Sequence, residues 1–527
     1  MSITSKDYVA FLTGVTAVYF ILPKKMQWLV LLAASMGFYV LSGVKGTAFI
    51  LVTAVITYFA ALAMEKANAR SKDTMGQLKD RDAKAAERER LRREKKRLFV
   101  LVCFVIFGIW IVVKYSPMLL QTVRALAPSV DLRAANRRVE HFIVPLGISF
   151  YTFTATGYLL DVSRKKYPAE RNFLKYLLFV SFFPHIIQGP FSRFDRLGKT
   201  LFAEHSFDYD RMARGVRRML FGYFEKLLVA DKLSPTVTAV MASPEEYQGV
   251  YLLIAVIAYG IQLYADFAGY MNIMCGFCEV LGIELEENFR QPYFSISIQN
   301  YWTRWHMTLG HWYSDYIFYP CSMGKTAQKI GRNARQKFGP RMGKLLPSYF
   351  AMIFVWTLTG LWHGASWTFV VWGWLNFAII VFSMQMEPVY TRMKGALHIN
   401  DASRWWRVVM IIRTFLLVSL LRIFYCSPTL GAAIDYIRMM FTPNWGLIFT
   451  SPKQVLITSC MGGAVAMKYV IAGVVCIFVV DLVKETGKKF HVPMPVRMVV
   501  WGLLLCVLII GGGNGDAAIG GFMYAQF

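Results

Sequence analysis

Charged residues are scarce in this chain. Only 17% of its 527 residues are Asp, Glu, Lys or Arg, whereas 56% are hydrophobic. A soluble domain has about 25% charged residues. Stretches of spanning length, which need roughly 20 mostly apolar residues, recur along the whole sequence. The composition therefore excludes an ordinary soluble protein and predicts an integral membrane protein that crosses the bilayer many times.

Cysteine is also infrequent, with eight residues scattered mostly through apolar segments. Such a scatter is not a disulfide framework. Cys275 and Cys278 have the spacing of a redox or metal-binding pair, but no second pair follows. We interpret them as small packing residues. The sequence therefore predicts no metal site and no bound cofactor.

Linkers and internal repeats are absent, and the first apolar stretch lacks a small-residue cleavage site. We therefore expect a single all-α, polytopic membrane domain over residues 1–527, with about 10 to 13 spanning or tilted helices. The clear candidate spans are 8–22, 27–43, 47–64, 98–113, 248–265, 347–361, 365–384, 408–425, 463–481 and 496–511. Less clean candidates lie at 142–160, 172–187 and 214–230.

The net charge of +26 would suggest a nucleic-acid partner in a soluble protein. Here the basic residues fall largely between spans, so membrane topology explains them better and no nucleic acid is expected. Segment 65–97 mixes acids and bases at helical spacing, which predicts a solvated helix. Segment 322–346 reads as a loop with no acidic residue and seven basic ones, namely Lys325, Lys329, Arg332, Arg335, Lys337, Arg341 and Lys344.

Positive charge favours the cytoplasmic side, so both basic segments are predicted to be cytoplasmic and the N-terminus outside. The bases of 322–346 have two interpretations. They can set topology and attract anionic lipid, at about 1 kcal/mol per base near the surface. They can also dock an anionic acyl donor or an acidic carrier protein.

Ionisable residues inside apolar segments are candidates for function. Gln262, Asp266 and Tyr270 are spaced at i, i+4 and i+8, which on a helix forms one polar stripe. Such a stripe is either a structural hydrogen-bond network or the wall of a polar reaction chamber.

A second polar cluster, 300–312, crowds aromatic residues with one arginine and two histidines. Its aromatic rings suit a membrane interface, but an interface does not need His306. If the segment is helical, Trp302, His306 and Gly310 share a face. The candidate tunnel or substrate-binding residues of this cluster are Asn300, Trp302, Arg304 and Trp305, with His306 as a candidate catalytic residue.

His363 is the third polar feature, with apolar spans on both sides. Trp362 precedes it, and Gly364-Ala365-Ser366 follow, where small residues would leave space beside the imidazole ring. Imidazole suits a general base because its unperturbed pKa is about 6.5, and desolvation favours the neutral form that a base needs. The residue is either a satisfied core histidine or a catalytic one.

An ordered set of motifs resembles the membrane-bound O-acyltransferase (MBOAT) family, and especially its bacterial alginate O-acetyltransferase type. Trp362-His363-Gly364-Ala365-Ser366-Trp367 is similar to the family's histidine signature. The other similar segments are 144–153, 183–190, 262–270 with 287–293, 302–311 and the terminal 522–527. The chain departs from the family pattern at Thr303 and at 307–310.

The resemblance implies a ring of helices around a tunnel that crosses the bacterial inner membrane. His363 would be the catalytic histidine in that tunnel and His306 a second functional residue, while Trp362 and the stripe of Gln262, Asp266 and Tyr270 would line it. The implied reaction moves an acetyl group from cytoplasmic acetyl-CoA to the outside for O-acetylation of an exopolysaccharide.

The implied partners are an extracytoplasmic SGNH-type transferase and the polysaccharide synthesis machinery, because the chain has no Gly-x-Ser-x-Gly elbow of its own. A close alternative is D-alanyl transfer to teichoic acid from an acyl carrier protein. A remote one is a transporter or channel, although no internal repeat supports it.

Overall fold

The computed structural model describes residues 3–131, 135, 139, 145–442, 464–487 and 493–512. These residues form helices, and within the described ranges the only strand-like pairing is an isolated bridge between Phe289 and Trp305. The all-α class is therefore confirmed. The motif residue Val144 and the terminal motif 522–527 lie outside the described residues.

The helices follow the predicted apolar segments closely. In chain order they are α1 Lys6–Ile21, α2 Gln27–Ser42, α3 Val44–Gln77, α4 Arg81–Leu126, α5 Ile148–Ser163, α6 Phe173–Ser181, α7 Phe183–Ile186, α8 Phe194–Leu201, α9 Tyr209–Tyr223, α10 Asp231–Ala242, α11 Val250–Leu281, α12 Ile298–Trp302, α13 Met307–Tyr313, α14 Tyr319–Ser322, α15 Lys325–His363, α16 Trp367–Ala396, α17 Arg404–Cys426, α18 Leu430–Phe441, α19 Ala464–Thr486 and α20 Met494–Gly512. Two π-helical turns, Phe224–Ala230 and Ser314–Phe318, join neighbouring helices.

Seven helices of the described chain are long and apolar enough to cross a membrane: α2 with the turn before it, α3, α4, α11, α15, α16 and α17. Several large apolar side chains on them are exposed, among them Phe59 at 62% and Phe104 at 78%. Apolar side chains that face outward from long helices suit contact with lipid. The chain is therefore a multi-pass membrane protein.

The chain divides into two compact units. The first comprises Met1–Val216 and Met274–Glu286, and the second comprises Arg217–Ile273 and Glu287–Phe527. The single domain expected over 1–527 stays a prediction.

In the first unit, helices α3 and α4 extend beyond their apolar parts and lie side by side. Segment 65–97 is helical on both sides of a short break, as its charge spacing predicted. Asp80 caps α4 by accepting a hydrogen bond from the backbone N–H of Ala83 at 2.9 Å. The Lys95 ammonium donates to Asn68 Oδ1 at 3.0 Å and links the two helices.

In the second unit, α15 and α16 form a tightly packed pair joined by 364–366. Ser366 caps α16, and its hydroxyl accepts from the backbone N–H of Thr368. A Cβ at Gly360 would lie 2.5 Å from the carbonyl oxygen of Phe369, and one at Gly373 would collide with the carbonyl oxygen of Trp356. These glycines let the two backbones touch and hold the end of α15 in place.

The expectation of a loop over 322–346 is wrong. The segment is helical from Lys325 onward and breaks at Gly339, whose φ of +85° lies in the left-handed region that favours glycine. The chain folds back there, and a Cβ at Gly331 would lie only 3.0 Å from the carbonyl oxygen of Gly343. We call residues 325–346 the basic hairpin. Small residues let the two arms of the hairpin pack together, and the charge pattern alone did not predict this pairing.

Candidate active site

His306 and His363 line one cavity of about 220 Å³ in the second unit. Both side chains are buried, at 3% and 4% exposure. The structure thus brings together the two histidines that the sequence singled out. The cavity is lined by Gln299, Trp302, Thr303, Trp305, His306, Leu309, Gly310, Tyr313, Ser314, Phe318, Met352, Val355, Trp356, Thr359, His363 and Ile380.

A turn, not a continuous helix, positions His306. Helix α12 ends at Trp302, and α13 begins at Met307. His306 has a φ of +48°, so it adopts a left-handed conformation that is uncommon for a residue other than glycine. We expected Trp302, His306 and Gly310 to share one face if the segment were a continuous helix. The segment is not a continuous helix, so that expectation does not apply.

Segment 287–291 runs beside this turn and holds it. The backbone N–H of Arg290 donates to the carbonyl of Arg304 at 3.0 Å, and that of Met307 donates to the carbonyl of Asn288 at 3.0 Å. These bonds stabilise the strained backbone of His306, as expected where a functional site needs an unusual conformation.

Asn288 fixes the tautomer of His306. Asn288 is fully buried, and its Oδ1 accepts from the Thr308 backbone N–H at 3.1 Å and from the Thr308 hydroxyl at 2.7 Å. A backbone N–H only donates, so this contact determines which way the amide points. The same Oδ1 lies 3.3 Å from His306 Nδ1. Nδ1 must therefore carry the proton, and Nε2 of the neutral ring carries the lone pair.

Burial lowers the pKa of His306 to about 3. The charged imidazolium loses solvation in the protein interior, which favours the neutral ring. His306 is therefore neutral at physiological pH and its Nε2 can accept a proton or a hydrogen bond.

His363 ends helix α15 and lies among aromatic rings. The Tyr425 hydroxyl is 3.3 Å from its Nδ1, and a hydroxyl can either donate or accept there. The Trp372 ring packs edge-on against the imidazole at a centroid distance of 5.1 Å. The Phe369 ring lies against Gly364 and leaves no room there for a Cβ, so the open space beside the imidazole is the cavity that His363 lines.

The tryptophans connect the two histidines. Trp362 packs edge-on against His306 at 5.6 Å and against His363 at 4.9 Å, measured between ring centroids. Trp302 donates its Nε1–H to Asn376 Oδ1 at 3.0 Å. These contacts orient the aromatic walls on both sides of the cavity.

Arg422 is a buried residue beside the site that the sequence analysis missed. It is 4% exposed, and its guanidinium donates to the hydroxyls of Tyr293 at 2.6 Å and Tyr301 at 2.7 Å. It also lies 4.9 Å from the centroid of Trp305, a cation–π contact. Within the described ranges no carboxylate pairs with it. The position of Arg422 inside an apolar span could have marked it as a candidate from the sequence alone. No sequence feature of that kind marks Asn288 or Tyr425.

Several predicted site residues lie away from this cavity. Arg304 forms a two-pronged ion pair with Glu485, at 2.8 and 3.3 Å, and Glu485 also pairs with Arg407. The side chain of Asn300 bonds within its own turn, to Ile296 and Thr303.

The polar stripe on α11 is present, but it belongs in part to a structural ion cluster. Asp266 is 1% exposed and pairs with Lys226 at 2.6 Å, and Lys226 also pairs with Asp231 at 2.8 Å. Gln262 and Tyr270 are buried on the same helix. None of the three stripe residues lines the cavity of the histidines, so their assignment to a tunnel stays a prediction.

A second, more polar cavity of about 260 Å³ lies behind Asn288. Its buried carboxyl groups are already engaged, since Glu225 accepts from Asn272 at 2.7 Å and Asp481 accepts from the Tyr264 hydroxyl at 2.7 Å. It is lined by Arg218, Glu225, Tyr264, Ala268, Met271, Asn272, Glu287, Asn288, Phe289, Gln291, Asp481 and Lys484. Among the described residues, no cluster of three His, Cys, Asp or Glu side chains could hold a metal ion.

Comparison with known protein families identifies the family of the chain that carries these two histidines. Residues 74–427 match the sequence model of MBOAT, the membrane-bound O-acyltransferase family. The chain belongs to the membrane-bound O-acyltransferases. The predicted family and the acyltransferase class are thereby confirmed, and the transporter hypothesis gains no support.

Relatives within the MBOAT family differ in their acceptors. The chain is 29% identical to the probable alginate O-acetylase AlgI of Azotobacter vinelandii, over 88% of this chain and 82% of that protein. It is 26% identical to the peptidoglycan O-acetyltransferase of Helicobacter pylori, over 58% of each chain. It is also 26% identical to the teichoic acid D-alanyltransferase of Bacillus subtilis, over 51% of this chain and 65% of that protein.

Proposed function

We propose that this MBOAT protein moves an acetyl group from cytoplasmic acetyl-CoA through the bilayer for O-acetylation of an exopolysaccharide. The observation that carries the proposal is the shared cavity of His306 and His363. Similarity to alginate and peptidoglycan O-acetylating proteins supports the acetyl group and the carbohydrate acceptor. The proposed location is the bacterial inner membrane, with the N-terminus outside.

His363 acts as the general base in this mechanism. It takes the proton of the acceptor hydroxyl as the oxygen attacks the thioester carbonyl, and the CoA thiolate leaves and receives that proton. The hydroxyl of Tyr425 supports either tautomer of His363. General-base catalysis of this kind contributes about 10²–10⁴ in rate.

His306 is a hydrogen-bond acceptor in this cavity, because its Nε2 carries a lone pair when Nδ1 donates to Asn288. The neutral ring is therefore not suited to donate to the developing oxyanion through Nε2. Arg304 and Asn300 carry N–H groups that could donate to an oxyanion, but neither residue lines the cavity. Their other contacts also count against that role.

The final acceptor is a hydroxyl of the polymer or of a partner. We propose an extracytoplasmic SGNH-type transferase as that partner, working with the polysaccharide synthesis machinery. The absence of a Gly-x-Ser-x-Gly elbow from this sequence is the reason to expect a separate protein. Co-purification of such a transferase with the tagged chain would support this part of the proposal.

Similarity to a teichoic acid D-alanyltransferase favours one alternative, D-alanyl transfer from an acyl carrier protein. Purified protein in lipid vesicles separates the two donors. We expect release of free CoA from acetyl-CoA in the presence of polymer, at a rate about 10²–10⁴ higher than for His363→Ala. Turnover of a D-alanyl carrier protein, with acetyl-CoA left intact, would contradict the proposed donor.

A further inference from the structure

Arg422 places a permanent positive charge inside an apolar span of the second unit. It lies in α17, three residues before Tyr425, and it is 4% exposed. A guanidinium does not lose its proton in a protein. A buried charge is costly unless it is paired, so an ionisable residue inside a span is a candidate for function.

The hydrogen-bond partners of Arg422 leave its charge in place. Its Nη1 donates to the Tyr293 hydroxyl at 2.6 Å, and its Nη2 donates to the Tyr301 hydroxyl at 2.7 Å. Tyr293 donates its own proton to the carbonyl of Gly260, so this phenol is neutral. A neutral hydroxyl solvates a charge without cancelling it, and no carboxylate of the described chain pairs with Arg422.

Close approach of α11 holds the guanidinium in one position. A Cβ at Gly260 would lie only 2.6 Å from Nη1 of Arg422 and 3.5 Å from the hydroxyl oxygen of Tyr293. The head group therefore lies directly against the backbone of α11 while both tyrosines accept from it. A charge fixed in advance is what electrostatic stabilisation of a reaction requires, because it costs no reorganisation when the reaction occurs.

Trp305 connects this charge to the cavity of the histidines. The guanidinium carbon lies 4.9 Å from the centroid of the Trp305 ring, and Trp305 lines the cavity next to His306. Tyr301 stacks on Trp305 at 5.6 Å and packs edge-on against Trp302, which also lines the cavity. Arg422 therefore lies against the cavity wall without lining the cavity itself.

The cavity itself lacks a fixed positive charge. Among the described residues that line it, none is lysine or arginine. The neutral ring of His306 presents the lone pair of Nε2, because Nδ1 donates to Asn288. A positive charge that stabilises the negative oxygen of acyl transfer must therefore come from outside the lining, and Arg422 is a buried cation that contacts a residue of the wall.

We propose that Arg422 is a positioning residue for acyl transfer, whose fixed charge behind Trp305 stabilises the anionic tetrahedral intermediate formed in the cavity. The acceptor oxygen bonds to the carbonyl carbon of the donor, and the carbonyl oxygen takes the π electrons and becomes negative. Collapse of the intermediate expels the thiolate, which takes the proton that His363 removed from the acceptor. Charges attract more strongly in a water-poor interior than in water, so a nearby cation lowers this barrier. The inference rests on the proposed function, since it takes acyl transfer to occur in this cavity.

Two substitutions separate the charge of Arg422 from its bulk. Loss of a donor that touches an oxyanion costs about 10²–10³ in kcat, so loss of a charge behind one ring should cost less, about tenfold. We expect that fall in kcat for Arg422→Met, with KM unchanged. Arg422→Lys keeps the charge, so its kcat should stay within about threefold of the wild type. Equal losses of kcat in the Met and Lys variants would overturn the proposal.

A purely structural role for Arg422 predicts a different pattern. Tyr301→Phe keeps the charge and removes one hydroxyl acceptor, so its kcat should also stay within about threefold of the wild type. A tenfold loss in that variant would assign Arg422 to a hydrogen-bond scaffold and overturn the charge assignment. The matched control is Arg413→Met, which removes an exposed arginine from the same helix and should leave kcat unchanged. An equal fall in this control would also count against a specific role for Arg422.

Two unreactive donor analogues give a readout that a structural defect would not reproduce. In one, a methylphosphonate replaces the acetyl group of acetyl-CoA and mimics the charged tetrahedral intermediate. In the other, acetonyl-CoA, a neutral ketone replaces the thioester. Calorimetric titration of Arg422→Met should show about tenfold weaker binding of the phosphonate and unchanged binding of the ketone. Equal weakening of both analogues would overturn the proposal, because it would indicate a distorted cavity.

Turnover assays with both donors keep the two proposals apart. If a D-alanyl carrier protein is turned over and acetyl-CoA is not, the proposed donor fails. A tenfold fall in kcat with that carrier, in Arg422→Met but not in Arg422→Lys, would still support the role of the charge. If acetyl-CoA is turned over and Arg422→Met matches the wild type, the assignment of Arg422 fails and the proposed function stands.

Discussion

At the scale of single residues, the site depends on side chains that control the two histidines. Asn288 holds one tautomer of His306, and the Tyr425 hydroxyl contacts His363. Metal ligands and catalytic histidines generally rely on such partners, because the second ring nitrogen sets what the first can do. The chemistry proposed for this cavity therefore extends beyond the two histidines themselves.

Replacing Asn288 by Asp should add a new decline of activity on the acidic side of the enzyme's pH–rate profile. A carboxylate 3.3 Å from Nδ1 favours the imidazolium, so the pKa of His306 rises from its lowered value. As the pH falls through that raised pKa, His306 becomes charged and loses the lone pair on Nε2. We expect kcat/KM of the variant to decline at a higher pH than kcat/KM of the wild type.

The control for this prediction is Asn400→Asp, which adds the same charge at an exposed residue whose Oδ1 accepts from the backbone N–H of Ala402. Its pH profile should match the wild type. Parallel profiles for Asn288→Asp and the wild type would mean that Asn288 does not control His306.

The histidines could be found from sequence, but most of their partners could not. His306 and His363 stood out as polar residues in apolar surroundings. Asn288 lies 18 residues before His306 in the sequence and becomes a partner only through the pairing of 287–291 with 304–307. Sequence periodicity describes contacts within one helix, whereas this contact depends on tertiary structure.

At the scale of helices, close packing of α15 against α16 places His363. Gly360 and Gly373 let the backbones meet, and Phe369 fills the space at Gly364. Small residues at such crossings are typical of membrane helices, where close approach provides most of the attraction.

Gly373→Leu should separate these helices and impair the site. Its side chain would collide with the backbone of Trp356, and overpacking typically costs about 1–3 kcal/mol. We expect a lower melting temperature in detergent and loss of most acyl transfer. Gly395→Leu is the control, because it lies in the same helix with nothing within 4 Å of an added Cβ, and it should leave both unchanged. Equal behaviour of the two variants would contradict the packing account.

Apolar length predicted the helices well but not their breaks. Each predicted span with described residues coincides largely with helix, for example 347–361 within α15. The breaks at Gly339 and at His306 were missed, because their left-handed backbones depend on packing partners elsewhere in the chain. The basic segment 322–346 showed its charge but not its helical hairpin.

At the scale of the whole molecule, the arrangement of charge predicts the orientation of the chain in the membrane. The helical segment 65–97 and the basic hairpin are expected on the cytoplasmic side and the N-terminus outside. The proposed acetyl donor is charged and confined to the cytoplasm. The hairpin can contact this donor only if the chain has that orientation.

Labelling of single cysteines tests the orientation, in a chain whose eight native cysteines are replaced. An impermeant maleimide should label Lys6→Cys in intact spheroplasts. It should label Lys79→Cys and Gln336→Cys only after the membrane is opened, and all three native side chains are exposed. Labelling of Gln336→Cys in intact spheroplasts would contradict a cytoplasmic hairpin.

The central claim is that the cavity shared by His306 and His363 carries out acetyl transfer to a polymer. Its most direct test is the acetyl content of exopolysaccharide from cells that express the wild type, His306→Ala or His363→Ala at equal protein levels. We predict near-complete loss of polymer acetylation in His363→Ala and a strong reduction in His306→Ala. Normal acetylation in both variants would contradict the catalytic assignment.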